Sequence, residues 1–164
     1  MTIKIGDSVP DVKVTRMDAG SPQNISLAEL MGSGKSVLFG VPGAFTPTCS
    51  ARHLPGFIDH ADSLREAGIE TIACIAVNDI FVMSAWGEAS KNPGSVLMLA
   101  DGNGDAAKAM GLTMDASGFG MGTRCQRFCL VAEQGVVSHL FVDAGGEFKL
   151  SSAEHLMDAL GIKD

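Results

Sequence analysis

Four cysteines, Cys49, Cys74, Cys125 and Cys129, are the residues of this chain best suited to chemistry. Their settings differ. Cys49 follows the apolar run Val37-Leu38-Phe39-Gly40-Val41, which reads as a buried strand. After it, Leu54, Phe57, Ile58, Ala61 and Leu64 recur at helical spacing. Thr46 can cap that helix and Pro47 can be its first residue, where a missing N–H costs nothing. Cys49 then falls in the first turn. A thiolate is the nucleophile, and a free cysteine of pKa about 8.5 is mostly protonated at neutral pH. The unpaired N–H groups and positive dipole end of a helix favour the anion. An arginine brought close would add a permanent charge. This is the position of a reactive cysteine; the plainer alternative is a small buried residue at a helix start.

The other thiols read differently. Cys74 lies inside the apolar run Ile69 to Val77, as a buried inert thiol would. Cys125-x-x-x-Cys129 is one residue too long for C-x-x-C, and no histidine pair follows it. That spacing speaks against structural zinc and against a thioredoxin-type dithiol. His53 and His60 read as helix-surface histidines. Trp86, with Phe81 and Val82, reads as packing.

The elements that must position Cys49 follow from periodicity and turn signals. Asp11 to Met17 alternates apolar and polar residues, as a half-exposed strand does. Ala19 to Asn24 is turn-like. Ser26 and Glu29 fit a capping box for a short helix. The helix after Cys49 should kink at Pro55, which cannot donate to the carbonyl of Ala51, and should stop at Gly68. Ile69 to Val77 is a strand, Asn78-Asp79 caps a helix, and Val96 to Ala100 is another strand. Ala106 to Met110 is a helix closed by Gly111, and residues 115–123 are irregular. Arg127 to Ala132 and Val136 to Val142 form a hairpin around Glu133-Gln134-Gly135. Ser151 and Glu154 fit a second capping box, for a last helix. Strands alternating with helices predict an α/β fold, a central mixed sheet flanked by helices on both faces.

With 164 residues the chain fits a single domain, 1–164, and 46% hydrophobic residues suffice for a core. A formal net charge of -7 excludes nucleic acid and anionic membrane as expected partners. No apolar run is long enough to span a membrane. The N-terminal residues are too polar for a secretory signal, so a cytoplasmic location is expected.

The string Pro42-Gly43-Ala44-Phe45-Thr46-Pro47-Thr48-Cys49 resembles the P-x-x-x-T-x-x-C signature of the peroxiredoxins. Phe39 to Ser50, with His53-Leu54-Pro55-Gly56-Phe57, is similar to the type II members linked to glutaredoxin or glutathione. Val77-Asn78-Asp79, Leu99-Ala100-Asp101-Gly102, Gly122-Thr123-Arg124 and Arg127-Phe128 extend the likeness over nearly the whole chain. The resemblance implies a thioredoxin-like fold and a thiol peroxidase, with Cys49 as the peroxidatic cysteine. By the same resemblance Thr46 hydrogen-bonds thiolate and peroxide, Pro42 shields the sulfur, and Arg127 holds both reactants. Arg124 takes a supporting role. Implied substrates are hydrogen peroxide and organic hydroperoxides; implied reductants are glutathione with glutaredoxin, or thioredoxin. A homodimer is implied, and neither a cofactor nor a metal is called for. A single-turnover peroxide sensor or chaperone-like redox module is the alternative.

A sulfenic acid at Cys49 must be captured by a second thiol before it oxidises further. Some relatives carry a resolving cysteine near the C-terminus, but the matching stretch here, Phe148 to Ser152, has none. Cys74 matches a cysteine of type II members, although reaching Cys49 would need local unfolding. If Arg127 points into the site from a strand, Cys125 points the same way and is a second candidate. Direct attack by an outside thiol on an exposed Cys49 sulfur is the expected route.

Overall fold

The computed structural model describes residues 1–163. Among the described residues nine strands and five α-helices are formed. The strands are β1 (Lys13–Asp18), β2 (Ser21–Ser26), β3 (Lys35–Gly40), β4 (Ile69–Ala76), β5 (Leu97–Ala100), β6 (Thr113–Asp115), β7 (Thr123–Cys125), β8 (Phe128–Glu133) and β9 (Val136–Val142). The helices are α1 (Leu27–Leu30), α2 (Leu54–Glu66), α3 (Ile80–Ala89), α4 (Asp105–Met110) and α5 (Ala153–Leu160). Seven strands form one mixed sheet in the order β2-β1-β5-β4-β3-β8-β9, and β6 pairs with β7 in a separate ribbon. The parallel strands β3, β4 and β5 lie at the centre; the crossover helices α2 and α3 cover one face, and α1 and α4 cover the other.

Alternation along β3 divides the core. Val37 and Phe39 face the layer made by α2, α3 and α5, with Leu54, Phe57, Trp86 and Leu156. Leu38 faces the opposite layer, with Leu27 of α1 and Ala106 and Met110 of α4. The Phe39 ring stacks on Phe57 with centroids 4.0 Å apart, which fixes α2 on the strand that precedes it.

The expected elements are present, with four corrections. Ala19 to Asn24 is not only a turn: Ala19 and Gly20 turn, and the chain returns as β2. Polar side chains and Pro22 hide this strand because it lies at the sheet edge, exposed, where a proline is tolerated. Residues 115–123 are irregular only in part: β6 ends at Asp115, a 3-10 turn covers Ser117–Phe119 and β7 begins at Thr123. The last helix is capped by Ser152, whose hydroxyl accepts from the His155 N–H, because the Ser151 hydroxyl is engaged by Asp143. Phe81 does not pack inward; it is exposed on α3.

Candidate active site

The backbone leaves β3 at Gly40 and turns before re-entering a helix at Pro47. Gly43 is buried in that turn. A Cβ there would meet Arg124 Nη1 at 2.9 Å, Thr46 Cγ2 at 3.2 Å and Met121 Cε at 3.3 Å, so only glycine fits without displacing them. The Arg124 guanidinium clamps the turn, Nε–H donating to Met121 O at 2.9 Å and Nη1–H to Pro42 O at 3.4 Å. From the other side the Ala44 N–H donates to Asn78 Oδ1 at 2.9 Å. Arg124 and Asn78 thus hold the loop that carries Pro42 and Thr46.

The Thr46 hydroxyl donates to Gly43 O at 2.8 Å, so its side chain braces the turn, while its carbonyl accepts from the Ser50 N–H at 2.9 Å at the expected N-cap position ahead of Pro47. The hydroxyl lone pairs are left as acceptors. Pro47 and Thr48 are helical, and residues Cys49–His53 form a π-turn that runs into α2. The Leu54 N–H donates to Cys49 O, five residues back. Pro55 lacks an N–H and its ring crowds the carbonyl of Ala51. The helix meets that crowding by widening ahead of the proline, where a kink was expected. Such turns inside helices are frequent at functional sites.

Cys49 lies at the start of the widened turn, fully buried. This overturns the expectation of an exposed sulfur. Arg127 Nη2–H donates to Cys49 Sγ at 3.0 Å. Arg127 belongs to the link between β7 and β8, not to a strand. Its Nη1–H donates to His53 Nδ1 at 2.8 Å, and His53 Nε2–H donates to Ser151 O at 2.9 Å. His53 is therefore buried, against the expectation of a surface residue. Burial first, and the Arg127 charge second, lower its pKa from 6.5 to about 3, so the ring is neutral. Phe148 covers this group, its centroid 5.0 Å from that of His53, with Arg52 Cζ 4.8 Å and Arg127 Cζ 5.7 Å from its ring.

The loop that delivers Ser151 and Phe148 is organised by Asp143. Its buried carboxylate accepts from the N–H groups of Lys149, Leu150 and Ser151 and from the Ser151 hydroxyl at 2.6 Å. Burial alone would raise its pKa, but these hydrogen bonds outweigh burial and hold it below the ordinary carboxylate range. One hydrogen-bonded chain thus runs from Asp143 through Ser151, His53 and Arg127 to the sulfur of Cys49.

Beside this group opens a cavity of about 740 Å³, walled by Pro42, Pro47, Met114, Phe119, Met121 and Arg127. The guanidinium is shared between cavity and sulfur. A molecule with an electron-poor oxygen, entering here, meets the guanidinium that holds the Cys49 sulfur, a fixed donor for the negative charge that develops on attack.

The other cysteines are built differently. All four are free thiols. Cys74 and Cys129 sit opposite Phe39 on β4 and β8, in the core layer that contains Cys49. Cys125 ends β7 and packs in the opposite layer, its Sγ–H donating to Val41 O at 3.0 Å. The strand breaks at Gln126 and Arg127, so the alternation that would have aimed Cys125 and Arg127 alike does not hold. Burial pushes Cys125 up to about 12, and it raises Cys74 and Cys129 as well. Among the described residues, no group of three His, Cys, Asp or Glu side chains could hold a metal ion. Nor is any described helix long and apolar enough to cross a membrane.

Residues 4–157 match the Redoxin family. The chain is 46% identical to the chloroplastic peroxiredoxin-2E-2 of Oryza sativa subsp. japonica, with 97% of this chain and 73% of that protein covered. It is 43% identical to peroxiredoxin-2B of Arabidopsis thaliana, covering 96% and 98% of the two chains. Reduced Prx3 of Vibrio vulnificus, crystallised in complex with hydrogen peroxide, superposes with a TM-score of 0.93 at 45% identity, covering 97% of this chain and 99% of that one.

Proposed function

The chain belongs to the redoxin family as a type II peroxiredoxin of thioredoxin-like fold, a thiol peroxidase with peroxidatic Cys49 near Arg127, and from that premise we propose how it turns over. The substrates are hydrogen peroxide and alkyl hydroperoxides. Cys49 attacks the nearer peroxide oxygen as thiolate. The S–O bond forms, the O–O bond breaks, and the leaving oxygen takes a proton to depart as water or alcohol, leaving a sulfenic acid. Arg127 is the catalytic guanidinium, because charge in that transition state spreads over sulfur and both oxygens. A planar fork faces two of those atoms with donors in a fixed geometry, which a freely rotating ammonium lacks. The Thr46 hydroxyl accepts from the peroxide O–H. Pro42 keeps water from the sulfur. The observation that carries this reading is the 3.0 Å contact to a buried Cys49 sulfur from Arg127 Nη2, whose guanidinium also lines the cavity.

A thiol donor then recycles the enzyme, as glutathione with glutaredoxin or as thioredoxin, in a cytoplasmic homodimer. Since Cys49 is buried, the π-turn must unwind before an outside thiol reaches it. Cys74 and Cys125 are the internal alternatives. Both are protonated in the folded core, which favours the outside donor.

Steady-state peroxide consumption tests this, with glutathione–glutaredoxin compared against thioredoxin on wild type, Cys49→Ser, Cys74→Ser and Cys125→Ser. Many equivalents should be consumed with glutaredoxin, none by Cys49→Ser, and Cys74→Ser and Cys125→Ser should be slowed at most partly. Activity in Cys49→Ser would refute the assignment, and a single equivalent consumed would make the protein a sensor.

A further inference from the structure

Two methionines, Met114 and Met121, line the cavity of about 740 Å³, and both are partly exposed. Neither has a task in the peroxidase reading. Met121 is tied to the reactive loop. A Cβ placed on Gly43 would meet Arg124 Nη1 at 2.9 Å and Met121 Cε at 3.3 Å, so the two side chains flank one point of the turn between Pro42 and Thr46. Arg124 also holds the Met121 backbone, Nε–H donating to Met121 O at 2.9 Å. Its grip on the turn is weaker: Nη1–H donates to Pro42 O at 3.4 Å, long for an N–H···O bond. Gly120 and Gly122, on either side of Met121, have φ of 70° and 67°, and a Cβ on either would meet no atom within 4 Å. The segment therefore has open space beside it.

We propose that Met121 is an oxidation site: peroxide in excess converts its thioether to the sulfoxide, whose oxygen draws Arg124 away from Pro42 and slows the peroxidase. A thioether is soft and polarizable, with a lone pair to give. That lone pair attacks the terminal oxygen of the hydroperoxide. The S–O bond forms and the O–O bond breaks. The leaving oxygen takes the proton from the transferred hydroxyl and departs as water or alcohol. Sulfur loses two electrons and the peroxide gains them, so no other oxidant is needed. A thiolate is the stronger nucleophile, so Met121 reacts when peroxide arrives faster than the thiol donor restores Cys49. The product is polar where the thioether was apolar. Its oxygen is a new acceptor beside Arg124 Nη1, in competition with the long bond to Pro42 O. The Nε–H bond to Met121 O can stay, so only one arm of the guanidinium has to turn. The turn then keeps the Asn78 contact at Ala44 and loses the tie at Pro42. Two thiols reverse the step, giving thioether, disulfide and water, which is the chemistry of methionine sulfoxide reductases. This inference rests on Cys49 being the peroxidatic cysteine.

Peptide mapping is the first test. Residues 109–124 form one tryptic peptide that contains Met110, Met114 and Met121. Met110 is buried on α4 in the opposite layer and serves as the internal reference. In Cys49→Ser treated with hydrogen peroxide, sulfoxide should form at Met121 well ahead of Met110. Equal rates at the two positions, or no sulfoxide at Met121, overturn the proposal. The second test is a mutant cycle read as the single-turnover rate constant with hydrogen peroxide. Met121→Gln supplies an oxygen in place of the sulfoxide and should react roughly tenfold more slowly than Met121→Leu, the scale of a small displacement at the site. In an Arg124→Ala background the two should be equal, because the arm that the oxygen competes for is gone. Gln no slower than Leu, or the same ratio with and without Arg124, overturns the proposal. If Arg124→Ala does not fold, hydrogen exchange of residues 42–46 replaces it: faster exchange in Met121→Gln than in Met121→Leu supports the rerouted arm, and equal exchange refutes it. A wild type that does not react with peroxide would instead defeat the peroxidase reading, whereas the mapping in Cys49→Ser is independent of turnover, so the two failures are distinguishable.

Discussion

Lowering pH should open the turn that carries Cys49, with His53 as the group responsible. In the closed turn the imidazole pKa is near 3; released into water it returns to 6.5. The closed state therefore binds fewer protons, and its stability rises with pH. The sign is that of a base with a depressed pKa. The contribution is fully present above about pH 6.5 and is lost progressively as pH falls toward 3. At full extent the gap corresponds to roughly 5 kcal/mol, and at pH 5 to about 2 kcal/mol, a roughly thirtyfold shift toward the open turn. The hydrogen bonds to Asp143 lower its pKa from the ordinary carboxylate value, away from the upper part of this window. Asp101 is raised by burial, but its carboxylate accepts from Ala106 and Ala107 of α4, in the opposite layer. The assay is intrinsic to the chain. Trp86 is the single tryptophan, there is no tyrosine, and the indole N–H donates to Ser50 Oγ of the π-turn at 2.9 Å. Its fluorescence, with hydrogen exchange of residues 47–56, should change between pH 7 and pH 4.5 in wild type and lose that dependence in His53→Asn. A signal that is flat in wild type, or equally steep in His53→Asn, would refute the reasoning.

Three further outcomes follow from the same contacts. Arg127→Lys should lower kcat/KM for peroxide roughly a hundredfold in steady-state assays, the scale of losing one preorganised donor, since a single ammonium nitrogen lacks the two fixed nitrogens that reach Cys49 Sγ and His53 Nδ1. Gly43→Ala presses on Arg124, Thr46 and Met121 and should slow the peroxide reaction about tenfold, as a shift of part of an ångström at the site would, with little change in denaturant midpoint. Phe57→Ala removes the ring stacked on Phe39 and should cost about 3–5 kcal/mol in chemical denaturation.

What the sequence revealed was local, and what it concealed was long-range. Thr46-Pro47 ahead of an apolar stripe located the reactive helix start, and the signature around Cys49 named the chemistry. His53 was misread because a lone histidine beside an arginine looks like surface, while its partners lie at Arg127 and Ser151. A signal was nevertheless present. Position 53 stands four residues before Phe57, on the stripe continued by Ala61 and Leu64, so it fell in the buried register. The argument that aimed Cys125 and Arg127 alike failed for the opposite reason. It extended strand alternation through Gln126 and Arg127, where the structure has no strand. The edge strand β2 was invisible because an exposed edge needs no apolar alternation.

The π-turn also separates two phases of one helix. An α-helix advances about 100° per residue, so the direction of every side chain is tied to that of every other. The extra residue in the turn over Cys49–His53 breaks that tie. Residues after it can be read by the core, through Phe57, Ala61 and Leu64, while Cys49 before it takes the bearing that Arg127 needs. Deleting Ala51 would restore an uninterrupted α-helical phase. The packing stripe of α2 would survive, and the sulfur would swing about a quarter-turn from the guanidinium. The widened turn is a phase shifter, allowing one helix to satisfy a hydrophobic core and a reaction coordinate that demand different angles.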